Sequence, residues 1–370
     1  MDIVVTGANG FLGRHLVHAL ERAGHLVLPI TRSTSSVERS SYLRRADAVY
    51  HVAGVNRPER VEEFTTGNVD LTEAIATELL SYNPVPVFFA SSIQATQDNP
   101  YGNSKREAED ILRLYGQRSG APVHIYRLPN LFGKWGRPFY NSAVTTFCYQ
   151  IARGEEITVT HPNHVLTLAH VDDVVASFVG ALHKTESTDS DVPTHQITLF
   201  DLARMIESFE AVRMARGVPD VSDPFTKKLY STYLSYLPKE RMVTPLLMHQ
   251  DVRGSFTELF KTPDRGQVSV NVAKPGITKG EHWHESKHEQ FIVVSGEGVI
   301  RLRLMDQDQI ISFHVSEEQL EVIEIPPGYV HHIENTGVKD LVTVMWVNEP
   351  FDASQPDTYR ATVAQDAEVS

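Results

Sequence analysis

The sequence predicts two domains of different class: an α/β domain with a doubly wound parallel sheet, followed by an all-β domain. Three observations support this prediction. The chain has 370 residues, more than one hydrophobic core usually supports. Up to about Tyr236, short apolar runs alternate with helix-like segments, which is typical of a parallel sheet. From Phe256 onward, short β-rich runs follow one another without helices, which predicts an antiparallel sandwich or barrel.

The apolar pattern also locates individual elements. In the first domain it predicts strands at 3–6, 26–30, 48–51, 85–90 and 123–126, and helices at 13–23 and 104–115. In the second domain it predicts strands at 268–272, 291–294, 299–304, 322–325 and 341–347. We place the boundary between Pro238 and Met248, which gives domains 1–242 and 243–370.

Charge and cysteine content limit the function classes. The 47 acidic and 34 basic residues give a formal net charge of -13, which disfavours nucleic acid or an anionic membrane surface as a partner. Cys148 is the only cysteine, so no intrachain disulfide can form. The first residues lack a basic n-region and an apolar h-region. No apolar run approaches the roughly 20 residues of a membrane-spanning helix. We therefore expect a cytoplasmic protein without a membrane span.

A glycine-rich turn at the start of the chain predicts a dinucleotide site. Gly7, Gly10 and Gly13 form G-x-x-G-x-x-G between the strand at 3–6 and a helix. Glycines permit a tight turn, and the helix amino-terminus offers free N–H groups to a pyrophosphate. The motif alone also fits a strand-helix turn that binds nothing. Arg32 ends the second strand and suits the 2′-phosphate of NADPH, although it could instead be a solvated loop residue.

Tyr101 and Lys105 form a Y-x-x-x-K pair at the start of a predicted helix, shortly after Ser91 and Ser92. A tyrosine has a pKa of about 10, so it acts near neutral pH only if a cation stabilises its phenolate form. Lys105 lies one helical turn beyond Tyr101 and supplies that cation. Here the chain resembles the extended short-chain dehydrogenase/reductase family, which has a Rossmann-type fold. Ser92, Tyr101 and Lys105 match its catalytic triad.

The resemblance implies roles for these residues. Tyr101 would protonate the nascent alkoxide, Ser92 would polarise the carbonyl, and Lys105 would hold the nicotinamide ribose and lower the tyrosine pKa. Asp47 falls at a family position beside the adenine, and Asn68 at one before the long helix, although each could instead be a turn or cap residue. The implied cofactor contacts are Gly7, Gly10, Phe11, Leu12, Gly13, Arg32, Asp47, Ala53, Tyr101 and Lys105.

The segment R-L-P-N-L-F-G at 127–133 resembles the one with which nucleotide-sugar enzymes of this family hold their substrate. Asn130 is the matching substrate contact. Lys134 and Arg137 follow it and could face a pyrophosphate, or they could be solvated loop charges. The resemblance therefore implies a nucleotide-sugar substrate.

Two motifs in the second half predict a metal site. His282, His284 and Glu289 belong to G-x5-H-x-H-x4-E, and His331 belongs to P-x-G-x2-H-x3-N. Residues two apart on a strand share a face, so the first two histidines can converge and the glutamate can reach them from the next strand. The motifs resemble the two signatures of the cupin superfamily, an all-β jelly-roll fold, although Leu320 replaces the glycine that normally begins the second.

Three imidazoles and a carboxylate can hold Zn, Fe, Mn or Ni. We favour zinc for a reductase-coupled pathway that does not use oxygen. The alternative is that the three histidines are unmetallated polar residues of the barrel.

The segment D-x-R-G-x-F-x-E at 251–258 resembles that of the deoxysugar carbon-3/carbon-5 epimerases, which are themselves cupins. In those enzymes the arginine and glutamate hold the nucleotide, so Arg253 and Glu258 are candidate substrate contacts. Their catalytic histidine aligns with His282, which the metal motif also claims. Either the metal acts as a Lewis acid while another group moves the proton, or the metal is structural.

Over essentially its whole length the chain resembles the bifunctional capsular-polysaccharide enzymes of the UDP-N-acetyl-L-fucosamine pathway. The likeness lies in the runs SSIQATQDNPYGNSK, NLFGKW, LYSTYLSYLP, RGSFTELFKTPDRGQVSVN and PPGYVHHIEN. It implies that the cupin epimerises carbon 3 of a UDP-2-acetamido-2,6-dideoxy-4-hexulose. The reductase would then reduce carbon 4 with NADPH to give UDP-2-acetamido-2,6-dideoxy-L-talose. It also implies a homodimer.

Two alternatives remain open from the sequence. The substrate could be a dTDP-deoxysugar, or the chain could be a regulator that binds a nucleotide-sugar or NADPH and carries a structural cupin. The triad argues against a regulator, because binding alone needs no proton donor.

Overall fold

The computed structural model describes residues 1–262 and 264–364, which form two compact units. The unit that contains the glycine-rich turn is called the first unit, and the one that contains the histidine motifs is the second. The first unit comprises Met1–Ser208 and Val221–Pro238, and the second comprises Phe209–Asp220 and the described residues from Lys239 onward.

This division differs from the predicted domains 1–242 and 243–370 at residues 209–220 and 239–242, which belong to the second unit. Two contacts join the segment 209–220 to the strand that contains Glu258 and Lys261. The Arg216 guanidinium lies 3.2 Å from the Glu258 carboxylate, and the Lys261 N–H donates to the Arg216 carbonyl. The apolar pattern of the sequence cannot reveal either contact, because one joins two charged side chains and the other joins two backbone groups.

The first unit alternates strands and helices, as predicted. Within the described residues, no helix is long and apolar enough to cross a membrane. A π-helical turn at Thr65–Asp70 and a 3₁₀ turn at Ile93–Thr96 precede two of the helices. The strands are β1 (Asp2–Thr6), β2 (Leu26–Ile30), β3 (Ala48–His51), β4 (Val87–Ser92), β5 (Val123–Leu128), β6 (Asn130–Phe132), β7 (Val165–His170), β8 (Thr188–Ser190) and β9 (His195–Thr198). The helices are α1 (Phe11–Arg22), α2 (Ser36–Arg45), α3 (Glu62–Phe64), α4 (Leu71–Tyr82), α5 (Pro100–Ser119), α6 (Ala143–Ile151), α7 (Val171–Gly180), α8 (Leu199–Met214) and α9 (Pro224–Leu234).

Six strands form a parallel sheet in the order β2-β1-β3-β4-β5-β8. A smaller sheet has the order β6-β7-β9. In the large sheet the chain leaves β1 toward β2 and returns on the other side to β3. This switch point is where open α/β sheets bind ligands, outside the carboxyl ends of the strands. The predicted doubly wound sheet is therefore confirmed.

Successive side chains of each strand point to opposite faces of this sheet, so each face has its own hydrophobic core. Ile3 and Val5 pack with α1 and α7, whereas Val4 packs with α2, α4 and α5. Leu16 on α1 and Leu79 on α4 are fully buried on opposite faces. Each such side chain contributes about 1.5–3 kcal/mol by leaving water.

The second unit is an antiparallel barrel of two sheets. One has the order β10-β11-β12-β19-β14-β17 and the other β16-β15-β18-β13-β20. Phe291, Ile300 and Ile333, from both sheets, share one core. This confirms the predicted all-β jelly-roll class. The strands are β10 (Met248–Asp251), β11 (Gly254–Thr262), β12 (Gly266–Ala273), β13 (Thr278–Trp283), β14 (Glu289–Ser295), β15 (Glu297–Leu304), β16 (Ile310–Ser316), β17 (Ile323–Ile325), β18 (Tyr329–Asn335), β19 (Leu341–Val347) and β20 (Tyr359–Arg360).

The strand β12 turns its polar side chains inward and its apolar side chains outward, which is the reverse of a usual barrel strand. Gln267, Ser269 and Asn271 are buried on its inner face, whereas Val270 and Val272 lie on its outer face and are partly exposed. A half-buried strand normally turns its apolar residues inward. The barrel interior is therefore polar on this side, and its outer surface is apolar.

Candidate active sites

A cleft of about 650 Å³ lies at the carboxyl ends of the parallel strands. It brings together most of the residues that the sequence predicted for cofactor binding, catalysis and substrate contact in the first unit. The predicted residues in its lining are Gly7, Gly10, Phe11, Leu12, Gly13, Arg32, Ser92, Tyr101, Lys105, Asn130 and Arg137.

The glycines let α1 approach the turn that precedes it. Gly7 has a φ of +67°, and a Cβ on Gly13 would lie 2.1 Å from the Gly7 carbonyl oxygen. A side chain at Gly13 would force the turn and helix apart, and one at Gly7 would collide with the backbone of Ala53 and require an unfavourable φ. The described first turn of α1 contains no acidic side chain, which suits an anionic pyrophosphate. Ala53 packs against Gly7, with 2.8 Å between its Cα and a Cβ built on Gly7, but it is not in the cleft lining.

The helix α5 carries two triad members on one face. Its amino-terminus is capped by Asn99, whose Oδ1 accepts the Gly102 N–H at 2.8 Å. Tyr101 and Lys105 follow, four residues apart, and therefore lie one above the other. Burial raises the pKa of Tyr101, whereas its hydrogen bond with Ser92 lowers it. Ser92 and Tyr101 both line the cleft, and the serine side chain lies near enough to the tyrosine hydroxyl to affect its pKa.

Lys105 is buried, with 4 % of its surface exposed. Its Nζ donates to the Ala90 carbonyl at 2.7 Å and lies 4.6 Å from the centre of the Phe89 ring. Burial lowers its pKa to about 8, and the charge of Glu109 partly opposes this shift. A lysine in this state keeps its positive charge at neutral pH.

Gly102 was not singled out from the sequence, although it sets the position of α5. A Cβ there would lie 2.1 Å from the Gln94 carbonyl oxygen and 2.8 Å from that of Gln97. The helix therefore presses on the turn that follows Ser92 more closely than any side chain would allow. A glycine in a helix costs up to about 1 kcal/mol relative to alanine, so its place inside the Y-x-x-x-K pair was a usable signal.

Asn68 connects the loop after β3 to α5. Its Oδ1 accepts the Val55 N–H at 2.8 Å, and its Nδ2 donates to the Val55 carbonyl and to Ser104 Oγ at 3.0 and 2.9 Å. The residue is almost fully buried in the π-helical turn. It therefore positions the catalytic helix rather than capping α4.

The structure corrects the assignment of Asp47. This residue precedes β3, its Oδ2 accepts the Asp2 N–H at 2.7 Å, and its own N–H donates to the Asp2 carbonyl. Both residues lie at the amino ends of parallel strands, whereas the cleft lies at the carboxyl ends. The prediction that Asp47 lies beside the adenine is therefore wrong.

Beyond α1 and α5, the cleft is lined by a segment that joins β6 to α6. The Arg137 guanidinium stacks 5.4 Å from the Tyr140 ring, and Trp135 is also in the lining. Neither aromatic residue was predicted, because an exposed aromatic in a loop carries no spacing signal. Lys134 does not share this role, since its Nζ pairs with Asp172 at 3.3 Å.

A second cavity, of about 350 Å³, opens inside the barrel. Its lining includes His282, His331 and Arg253, as predicted, together with Lys279, which was not. Lys279 donates to the Val272 carbonyl at 2.7 Å and to Asn271 Oδ1 at 3.0 Å. Burial lowers its pKa, which Asp251 partly opposes.

The structure places Glu258 outside this cavity lining. Its carboxylate pairs with Arg216 at 3.2 Å. Within one chain, the two predicted nucleotide contacts, Arg253 and Glu258, therefore do not line the same cavity. The segment 209–220 supplies the cation that pairs with Glu258, which the sequence pattern did not reveal.

The four predicted metal ligands converge. One donor atom from each of His282, His284, Glu289 and His331 lies within 4.8 Å of the others. Glu289 Oε2 is 3.4 Å from His284 Nε2 and 3.0 Å from His331 Nε2. These three buried atoms nevertheless form no well-directed hydrogen bond with any described residue.

The opposite ring nitrogens of two histidines are occupied. His284 Nδ1 hydrogen-bonds to the Asp357 carbonyl, and His331 Nδ1 to the Tyr329 carbonyl at 3.1 Å. A carbonyl oxygen only accepts, so both imidazoles carry a proton on Nδ1, and in the neutral ring Nε2 turns its lone pair toward the centre. Metal-binding histidines commonly have this arrangement. The donor set therefore fits a divalent transition metal.

Comparison with known proteins yields two family matches. Residues 3–193 match the NAD dependent epimerase/dehydratase family, and residues 249–359 match the polysaccharide biosynthesis C-terminal domain. A UDP-2-acetamido-2,6-beta-L-arabino-hexul-4-ose reductase from Pseudomonas aeruginosa is 42 % identical over 99 % of this chain and 100 % of its own length.

Solved structures resemble this chain over nearly its whole length. The capsular polysaccharide assembling protein CapF of Staphylococcus aureus is 49 % identical, with a TM-score of 0.92 over 98 % of this chain and 100 % of that chain. A structure of CapF with the inhibitor 3-isopropenyl-tropolone is 45 % identical, with a TM-score of 0.86, and it also covers 98 % of this chain and 100 % of that chain. The resemblance inferred from the sequence is confirmed, and the family implies a nicotinamide cofactor. The chain belongs to the NAD dependent epimerase/dehydratase family, here joined to a polysaccharide biosynthesis C-terminal domain.

Proposed function

We propose that the chain is a bifunctional nucleotide-sugar enzyme. The barrel epimerises carbon 3 of a UDP-2-acetamido-2,6-dideoxy-4-hexulose, and the first unit then reduces carbon 4 with NADPH to UDP-2-acetamido-2,6-dideoxy-L-talose. The observation that carries the proposal is the placement of Tyr101 and Ser92 together with a buried Lys105 in one cleft at the switch point of the sheet. The whole-length likeness to a UDP-hexul-4-ose reductase favours UDP over dTDP.

In the reduction, a bound nicotinamide cofactor supplies the hydride. The Tyr101 hydroxyl donates its proton to the ketone oxygen as negative charge develops there. The Lys105 ammonium stabilises the phenolate left on Tyr101. The Ser92 hydroxyl donates a hydrogen bond toward the same developing charge.

The order of the two reactions follows from the chemistry of the substrate. A ketone at carbon 4 acidifies the proton at carbon 3, because the carbanion is stabilised as an enolate. Once carbon 4 is reduced, that stabilisation is lost. Epimerisation must therefore precede reduction.

In the barrel, His282, His284, Glu289 and His331 would hold a divalent metal, for which we propose zinc. Such a metal, when bound, polarises a substrate oxygen as a Lewis acid. Lys279 and Arg253 line the same cavity, where Arg253 pairs with Asp251, and the two cations favour a diphosphate.

A homodimer is supported by the outer surface of the barrel. Val270 and Val272 on β12 pair with Val344 and Val342 on β19, and Val344 also pairs with Ile292 on β14. These five residues, which we call the valine face, form one apolar patch. The edge strand β10 of the same sheet is exposed along its length. A second copy of the chain can cover both features through a two-fold axis.

The Tyr101→Phe variant is expected to lose NADPH oxidation by about 10²–10⁴-fold, because the general acid is missing when charge develops. Its affinity for NADPH should change little. Stopped-flow absorbance with the keto-sugar measures the first quantity, and fluorescence titration the second. The control is Tyr42→Phe, at a tyrosine whose hydroxyl bonds Glu38 on α2. Reduction by Tyr101→Phe at the wild-type rate would remove Tyr101 as the acid.

Arg32→Asp is expected to shift cofactor preference from NADPH toward NADH, because attraction of the 2′-phosphate becomes repulsion. The ratio of kcat/KM for the two cofactors measures this change. Arg22→Asp, at the far end of α1, makes the same change in charge away from the cleft and should leave the ratio alone. An unchanged ratio in Arg32→Asp would show that this arginine does not contact the cofactor.

His331→Ala is expected to lose its bound metal, because it removes one of four ligands. Elemental analysis of the purified protein measures metal content, and circular dichroism checks folding. His314→Ala, at an exposed histidine on β16, should keep the metal. A His331→Ala protein that retains stoichiometric metal contradicts the assigned ligand set.

The wild-type chain is expected to sediment at twice its mass of 41.5 kDa. Val344→Lys should dissociate the dimer, because it would bury an unpaired charge in the valine face. Val37→Lys, at an exposed valine on α2 of the first unit, is the control and should remain dimeric. A wild-type monomer, or a dimer unaffected by Val344→Lys, contradicts the proposed interface.

A further inference from the structure

We infer that residues 356–363, here called the carboxy-terminal clamp, position His284 for metal binding. The inference rests on the metal centre proposed above. The clamp adds the strand β20 to the edge of β13, the strand that carries His282, and pairs His282 with Arg360 and Trp283 with Tyr359. The Trp283 and Tyr359 rings also stack, with 4.9 Å between their centres.

The direct contact is made by Asp357. Its backbone carbonyl accepts a hydrogen bond from His284 Nδ1, across 73 residues of sequence. Because a carbonyl cannot donate, this bond fixes both the ring orientation and the tautomer of His284. The lone pair of Nε2 is then held toward Glu289 and His331. Without the clamp, the ring could rotate and the proton could move to Nε2, where it would block a metal.

The Asp357 side chain fixes the turn between the two ligand-bearing strands. Its Oδ1 accepts the Glu285 N–H at 2.9 Å, and its Oδ2 accepts those of Ser286 and Lys287 at 3.0 and 3.1 Å. Asp357 itself has a φ of +39°, a conformation that L-residues rarely adopt. These bonds hold it there and so place its carbonyl against His284.

Both ends of the clamp are anchored by buried cations. Lys287 Nζ donates to the Pro356 carbonyl at 2.5 Å, and Arg303 donates to the Thr362 and Val363 carbonyls, each at 2.9 Å. Val363 is fully buried. The clamp is therefore built into the barrel and is not a loose tail that happens to lie near the site.

Asp357→Ala removes three backbone caps but leaves all four metal ligands in place. The partners of a metal-bound histidine typically contribute 10–100-fold to metal affinity. We therefore expect Asp357→Ala to weaken zinc binding of the full-length protein by 10–100-fold, measured by competition with a chromophoric chelator. Asp357→Asn keeps the side-chain carbonyl acceptor and should lose less. The matched control is Asp352→Ala, at an exposed aspartate of the same segment that bonds only within 352–355 among the described residues.

A second measurement determines which nitrogen of the His284 ring carries the proton. Nitrogen-15 NMR of the histidines in metal-free protein should show His284 protonated on Nδ1 in the wild type and in Asp352→Ala, and a mixture of tautomers in Asp357→Ala. Equal zinc affinity and an unchanged tautomer in Asp357→Ala would overturn the clamp while leaving the metal centre intact. A wild-type protein that binds no zinc would overturn the metal centre and the clamp together.

Discussion

Lys105 carries an ammonium group into the interior of the first unit, and the geometry of the reductase depends on how that charge is accommodated. Its partners are the Ala90 carbonyl and the Phe89 ring on β4, with Glu109 one turn further along α5. The lysine can reach them only because α5 lies very close to the segment after β4, which Gly102 permits. The same close approach brings the tyrosine of the helix to the serine of the strand. One buried cation thus couples helix position to catalytic geometry.

The barrel contains buried acceptor atoms on His284, Glu289 and His331 that have no well-directed hydrogen bond with any described residue. Leaving a buried polar atom unsatisfied costs about 1–3 kcal/mol. Three such atoms, on His284, Glu289 and His331, would cost several kcal/mol in total, which is a large part of the 5–15 kcal/mol that stabilises a typical domain. A divalent cation at their centre satisfies all three at once. This magnitude is the physical reason for preferring a metal centre to a merely polar interior.

Much of this organisation could be predicted from the sequence, because its signals are local. The glycine turn, Tyr101 with Lys105, and the histidine motif each lie within about one strand or one helical turn. What the sequence did not reveal depends on distant residues. Asp47 was assigned without knowing which end of its strand faces the cleft, and Glu258 without knowing that residues 209–220 supply Arg216. Asp357 acts through its backbone carbonyl, which no side-chain pattern can reveal.

We propose that two separate sites act on one substrate in a fixed order. Incubation of the wild-type protein with the UDP-4-keto-sugar in deuterated water, without any nicotinamide cofactor, tests this order when carbon 3 is followed by proton NMR. We expect the carbon-3 proton signal to be lost through exchange while the ketone persists, and NADPH added afterwards to yield a product carrying deuterium at carbon 3. Retention of the carbon-3 proton in the presence of metal-loaded, folded protein would contradict it, because the barrel would then bind the sugar without transforming it.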